Sequence, residues 1–222
     1  FRGRDGLLKV TETPRQGPLV EKIIQAAKNI GIDYNSDYNG ATQDGIAMSQ
    51  VTINKGRRQS TAYCYLDPAR GRPNLTIQTG AMAQSLILDG KPCLGVRYRV
   101  RGEALEAKAM REVIVSGGSI NSPQLLELSG IGQPERLQRC GIEPVHALPG
   151  VGENLRDHYS PRVKFAITEK NLTFNDKGRG WRLVREALKY GFFRTGFLAT
   201  TSVPIRMYFR TREGLDSPDA TI

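Results

Sequence analysis

The sequence predicts a mixed α/β (α+β) fold, and three stretches predict it. Residues 18–30 (PLVEKIIQAAKNI) repeat apolar side chains at helical spacing. Residues 75–100 read as short strands around a turn-like Asp89-Gly90-Lys91-Pro92 tetrad. Residues 113–129 pass from a wholly apolar triplet through two glycines into a helical pattern. The chain shows no internal repeat and no low-complexity tract.

Taken in order, residues 1–17 are polar and read as loop. Pro18 suits a first helical position, where its missing N–H would be unpaired in any case. Leu19, Val20, Ile23, Ile24, Ala27 and Ile30 then form one face, and Gly31 stops the helix. Residues 33–60 are rich in Asn, Asp, Gly and Ser and read as a long irregular stretch with one strand near Met48–Ile53. Residues 61–70 (TAYCYLDPAR) read as a short helix. Leu75–Thr79 reads as a strand, and Ser85–Leu88 with Leu94–Val100 as a hairpin. In its second arm Val96, Tyr98 and Val100 alternate with Arg97, Arg99 and Arg101, an apolar face against a basic, solvated one. Val113–Val115 reads as a buried parallel strand, followed by Ser116-Gly117-Gly118-Ser119. A helix capped at Ser122-Pro123 is expected to run to Leu128 and end at Gly130. Further elements are expected at 134–140 (helix), 163–167 (strand), 181–190 (helix) and 203–209 (strand). The chain starts at Phe1 and stops at Asp219-Ala220-Thr221-Ile222, which reads as the entry to a strand. The expectation is a piece of a longer protein.

Its 222 residues suffice for one large domain or two small ones. A 39% hydrophobic and 24% charged composition argues against a disordered or fibrous chain. No apolar run approaches the roughly 18–20 residues of a membrane span, and no signal peptide is visible. Three scattered cysteines (Cys64, Cys93, Cys140) without C-x-x-C favour a reducing compartment over a disulfide framework. The net charge of +10 fits a solvated basic surface, or an anionic partner such as a nucleic acid, a membrane surface or a phosphate-bearing cofactor.

The unit at 113–129 carries the most chemistry. A strand ending in two glycines lets a ligand approach the backbone without a Cβ in the way, and a helix start just beyond adds unpaired N–H donors. A tight strand-to-helix turn is the bland reading of the same residues. Other motifs fail: there is no G-x-G-x-x-G, no P-loop (Gly40–Gly45 continues into Ile46-Ala47), no G-x-S-x-G and no zinc pattern. His158, after Asp157, reads as a structural pair, and His146 has no partner in sequence. The basic clusters Lys55–Arg58 and Arg206–Arg212 lack any nucleic-acid recognition pattern, so no nucleic-acid partner is expected. Asn74-Leu75-Thr76 and Asn171-Leu172-Thr173 match the glycosylation pattern by chance.

Gly118-Ser119-Ile120-Asn121-Ser122-Pro123-Gln124-Leu125-Leu126-Glu127-Leu128-Ser129-Gly130-Ile131-Gly132 resembles the second signature of the glucose–methanol–choline (GMC) oxidoreductases. Leu148–His158 resembles the family's segment Leu-Pro-Gly-Val-Gly-x-Asn-Leu-Gln-Asp-His, with Arg156 where Gln is usual. Asp37–Gly40, Gly56–Arg58, Tyr65–Pro68 and Arg72–Ile77 resemble its choline- and alcohol-dehydrogenase branch.

The resemblance implies a flavoprotein in which FAD oxidises the CH–OH of an alcohol, choline-like or another primary alcohol, to a carbonyl. It implies an FAD-binding domain interleaved with a substrate-binding domain: here 1–68 substrate-domain segment, 69–160 FAD-domain segment, 161–222 substrate-domain segment. It implies that Ala83, near Thr79–Ala83, meets the adenine through backbone atoms, and that Ser116, Gly117 and Gly118 lie against the adenosine. It implies a cytoplasmic location, with peripheral attachment to an inner membrane as the variant; the electron acceptor is not specified. The family's first glycine motif, its Gly-Gly-Ser-Ser loop and its catalytic histidine have no counterpart here. No catalytic and no metal-binding residue is therefore assigned, and the chain alone is expected to be inactive, colourless and marginally stable. The alternatives are a non-catalytic binding or assembly domain keeping the family fold and, behind it, a basic nucleic-acid-binding domain.

Overall fold

The computed structural model describes residue 3, residues 5–15 and residues 17–222. Part of the loop expected over 1–17 falls on residues 1, 2, 4 and 16, which lie outside the described residues. In chain order the elements begin with β1 (Thr11–Glu12), α1 (Pro18–Asn29), β2 (Gly45–Met48), β3 (Gln50–Val51), β4 (Ile53–Asn54) and β5 (Arg57–Arg58). A π-helical turn (Ala62–Leu66) runs into α2 (Asp67–Ala69). There follow β6 (Ala81–Leu88), β7 (Cys93–Val100), β8 (Glu103–Lys108), α3 (Gly118–Leu128), β9 (Ile131–Gly132), α4 (Pro134–Arg139) and β10 (His146–Ala147). The chain closes with α5 (Phe174–Lys177), α6 (Gly180–Phe193), a 3-10 turn (Phe197–Ala199), β11 (Ile205–Phe209) and β12 (Ala220–Thr221). These elements form two compact units, Phe1–Leu75 with Lys164–Ile222, and Thr76–Val163.

The first unit is built on the sheet β12-β11-β2, antiparallel throughout. All four residues of β2 are buried, and Ile46 and Met48 form the centre of the core. The strand expected at Met48–Ile53 starts earlier, at Gly45, because its partner is β11, some 160 residues away in sequence and invisible to local pattern. At Ser49 the chain changes neighbours. The Ser49 carbonyl accepts from the Thr13 amide (2.8 Å) and hydroxyl (2.7 Å), while the Ser49 amide donates to Pro204 (2.8 Å). Beyond it β3 pairs with β1 instead. α1 follows its sequence pattern: Pro18 stands in the first turn, Val20 and Ala27 are buried, and Glu21 and Lys28 complement the helix dipole at their respective ends. The strand expected at 163–167 does not form. Val163 and Phe165 are 75% and 85% exposed, since alternation specifies a strand only where a neighbour pairs with it.

Within α6 only Glu186 is buried. Burial raises the proton affinity of its carboxylate, but Lys189 at 3.1 Å, the Phe197 amide and Arg185 outweigh that and hold it below the 4.5 ordinary for glutamate. A depressed carboxylate contributes stability that is complete above its unfolded pKa and is lost as pH falls through the folded one. The urea midpoint is therefore expected to fall on acidification below pH 4.5. Glu186→Gln should flatten that acid limb; an unchanged slope in the variant would assign it to other groups.

The second unit holds the antiparallel meander β6-β7-β8. The expected strand at Leu75–Thr79 is absent. The paired run begins at Ala81, after Gly80 turns the chain at φ +67°. β8 (EALEAK) was not anticipated: its residues favour helix and all six are exposed. The Arg101-Gly102 turn folds it back onto β7, and Gly95 admits it, since a Cβ there would lie 2.2 Å from the Ala107 carbonyl oxygen. The alternation in β7 holds, with Val96, Tyr98 and Val100 half-buried, Arg97 and Arg99 exposed, and Arg97 paired to Glu106 at 2.9 Å.

Two expectations at the glycine unit are corrected. Val113–Val115 is not a strand of a parallel sheet; it pairs with no strand among the described residues, and Ile114 is 77% exposed. A strand exists only by its partners, and this chain supplies none here. The helix begins at Gly118 rather than at Ser122, so Pro123 sits inside it. There the proline stands at the sixth helical position, beyond the unpaired first turn, and removes the N–H that would otherwise bond the Ser119 carbonyl. The fold class stands as mixed helix and strand, with one short parallel strand pair, β9–β10, and an isolated parallel bridge, Tyr34–Ile46, among the described residues.

Candidate functional site

The site is assembled in the second unit from the start of α3 and the open edge of β6. Gly117 precedes α3 without any side-chain cap, leaving the first-turn amides unsatisfied within the helix. Gly118 has φ +87°, a conformation that costs an L-residue strain, and a Cβ there would meet nothing within 4 Å. At Gly117 a Cβ would approach Asn121 Cβ and the Ser122 amide nitrogen at 3.2 Å. Ser116, Gly117 and Gly118 are all exposed. The turn is thus open backbone, with no side chain walling it off.

α3 is fixed to β6 through Ser129. Its hydroxyl accepts the Leu86 amide (2.8 Å) and donates to the Leu125 carbonyl (2.5 Å). The Leu86 amide therefore points away from β7. Leu86 stands opposite Val96 and Ala83 opposite Tyr98, two residues on along β7, with a bulge between Ala83 and Ser85 on β6. By the two-residue alternation of an antiparallel ladder, the Ala83 peptide groups also face the free edge. Ala83 is exposed. A ligand at that edge can take both an amide donor and a carbonyl acceptor from it, whatever the side chain.

The far end of α3 is locked. Gly130, at φ +83°, would place a Cβ 2.6 Å from the Glu143 carbonyl oxygen and 2.7 Å from Val145 Cγ2. Arg136 of α4 bridges Glu127 (3.4 Å) and Glu153, and its side-chain bond to Glu153 keeps the guanidinium charge fixed there. This ties the 148–158 segment to the C-terminal half of α3. His158 is exposed and donates its backbone amide to Asp157 Oδ1 at 2.7 Å; His146 is exposed on β10. Among the described residues no group of His, Cys, Asp and Glu could hold a metal.

The first unit adds a feature the sequence did not show. An apolar groove of about 610 Å³ is lined by residues including Leu19, Ile23, Ile30, Phe174, Pro204 and Met207, with no titratable side chain. Its residues come from five separated stretches, so no local pattern could have drawn it. Of the two basic clusters, Arg57 lies over the Tyr63 ring at 4.0 Å, and Arg210 pairs with Asp44 at 2.6 Å.

The model of the GMC oxidoreductase family matches residues 3–160. The chain belongs to the GMC oxidoreductases. Over 99% of its length this GMC chain is 37% identical to the mitochondrial choline dehydrogenase of Mus musculus, covering 37% of that protein. Over 76% of its length it is 45% identical to the oxygen-dependent choline dehydrogenase of Chromohalobacter salexigens, covering 31% of it. Among solved structures it is similar to formate oxidase, with TM-score 0.82 and 26% identity over 94% of this chain and 37% of that one. The GMC chain thus spans between about a third and two-fifths of the relatives it matches. No helix among the described residues is long and apolar enough to cross a membrane.

Proposed function

We propose that this GMC chain is the central part of an FAD-dependent enzyme that oxidises the CH–OH group of an alcohol to a carbonyl. The observation that carries this is the open Gly117–Gly118 turn at the uncapped start of α3. It fits a nucleotide: bare backbone with φ +87° lets a ribose or phosphate oxygen reach amides that no side chain among the described residues caps. Ser116, Gly117 and Gly118 would hold the adenosine side, and the outward peptide of Ala83 would pair with the adenine edge. FAD, when bound, supplies a hydride acceptor. What this chain contributes is cofactor binding and the scaffold that orients it; no residue here is proposed as the base. The thirds of the chain follow the same reading, with 69–160 as FAD-domain segment and 1–68 and 161–222 as substrate-domain segments.

A choline-like alcohol is the proposed substrate. Identity to choline dehydrogenases runs at 36–45%, against 26% to formate oxidase and 29% to pyridoxine 4-oxidase, so the chain sides with the choline group. A cytoplasmic location is proposed on the three free thiols, which an oxidising compartment would pair or modify. The test uses the full-length protein. It is expected to purify yellow and to bleach on anaerobic addition of choline, while residues 1–222 alone stay colourless. A full-length protein without flavin, or flavin that no alcohol reduces, would remove the proposal.

A further inference from the structure

We infer that the apolar groove of the first unit is the seat of the protein's own chain immediately following Ile222, which extends β12 as a strand along β11. The inference rests on residues 1–222 being the central part of a longer enzyme, as proposed above. Ile222 already pairs beyond β12: its amide donates to the Met207 carbonyl (2.9 Å) and its carbonyl accepts the Met207 amide (2.8 Å). Peptide groups of an antiparallel strand alternate between its two neighbours. The Met207 peptide thus faces β12, the Pro204 carbonyl faces the β2 side, where it accepts the Ser49 amide, and the Ile205 peptide faces the β12 side again. Among the described residues β12 and Ile222 extend only as far as Met207. Ile205 therefore presents an amide and a carbonyl to an open edge, at the point where the second residue after Ile222 would stand.

The groove follows the same line. Met207, Ile205 and Val203 line it in turn, with Ile222 beside Met207. A strand continued from Ile222 runs antiparallel to β11, from Met207 toward Val203, and so travels along the groove. Directly opposed residues share a face of the sheet, as Met207 and Ile222 do in lining the groove together. The second residue after Ile222, opposite Ile205, enters the groove and is expected to be apolar; the first, opposite Arg206, falls on the other face. The lining suits a seam between chain segments rather than a small-molecule site. Its only polar side chains are those of Thr173 and Ser202, and the Thr173 hydroxyl is engaged in its capping box with Asp176, which leaves too few convergent polar groups to orient a ligand. Chain continuous with β12 reaches this edge without the loss of translational freedom that a separate partner incurs.

The test uses the full-length protein, with the exposed Cys140 replaced by serine. Arg206→Cys combined with a cysteine at the first residue after Ile222 forms a cross-strand pair of the closer, non-hydrogen-bonded kind, about 4.5 Å between Cα atoms and within disulfide range. Mild oxidation is expected to join the two within one chain, read as a linked peptide by mass spectrometry. Moving the second cysteine one residue further on puts it on the opposite face and should give at least about tenfold less of the bridge. In the parent protein the Ile205 amide is expected to exchange its hydrogen at least about 100-fold more slowly than an unprotected amide; should the double variant fail to fold, this measurement decides. The inference falls if no bridge forms in the folded variant, if the bridge joins two chains, which would make the edge a self-association surface, or if the Ile205 amide exchanges at the unprotected rate. Neither readout uses the flavin: a yellow protein without the bridge overturns this inference alone, and a colourless one with it overturns only the function proposed above.

Discussion

Gly130→Ala is expected to unfold the second unit at temperatures where the parent is intact. The backbone at Gly130 is left-handed (φ +83°), which alone costs an alanine about 1–2 kcal/mol. The methyl would also sit 2.6 Å from the Glu143 carbonyl oxygen and 2.7 Å from Val145 Cγ2. Both belong to the strand-entry segment whose Val145 and His146 amides bond the Gly130 carbonyl, so neither can retreat without breaking those bonds. The combined penalty is about 3 kcal/mol or more, a large part of a small unit's margin. Gly141→Ala is the control. It has a similar φ of +72° but nothing within 4 Å of the added methyl, so it should cost only about 1 kcal/mol. Thermal melts should rank the parent first, Gly141→Ala slightly below it and Gly130→Ala far below. Equal melting of the two variants would show that backbone strain alone matters and that the 130–145 packing is loose. Because Ser129 precedes Gly130 and pins α3 to Leu86, the same variant should also expose the buried Leu86 amide to hydrogen exchange.

Gly118→Ala should leave the fold and lose the flavin. The added methyl meets nothing within 4 Å, so the structural cost is backbone strain of about 1 kcal/mol. In the full-length enzyme, however, that methyl would stand where the nucleotide is proposed to approach the α3 amides. Retained flavin per protein, read from visible absorbance after gel filtration, should drop about tenfold or more, the consequence of roughly 1.4 kcal/mol or more of lost affinity. The Gly141→Ala enzyme, with comparable strain away from the turn, should keep its flavin. If Gly118→Ala stays fully yellow, the glycine serves only the start of the helix, and the nucleotide must lie elsewhere.

Much of the fold was legible because it is local. α1, α4 and α6 announce themselves through spacing, a first-turn proline or a stopping glycine, and the β6–β7 hairpin through its turn. The errors share one cause. Val113–Val115, Leu75–Thr79 and Val163–Ile167 are apolar or alternating triplets to quintets, and such runs become strands only when another strand lies beside them. The reverse error is β8, whose helix-favouring residues are held in a strand by the Arg101-Gly102 turn and by the space Gly95 leaves.

The site divides the same way. Ser116, Gly117 and Gly118, proposed as the adenosine side, are candidates that residue order alone offers, because two glycines at a helix start leave bare backbone there. The role of Ser129, the outward turn of the Ala83 peptide, the lock at Gly130 and the apolar groove of the first unit could not be read that way. Sequence by itself determined the family, through fifteen consecutive positions of one signature, and the helices, whose hydrogen bonds close within four residues. Tertiary structure alone decided which strands exist, which peptides face an open edge and which apolar side chains stay exposed, because those depend on partners far away along the chain.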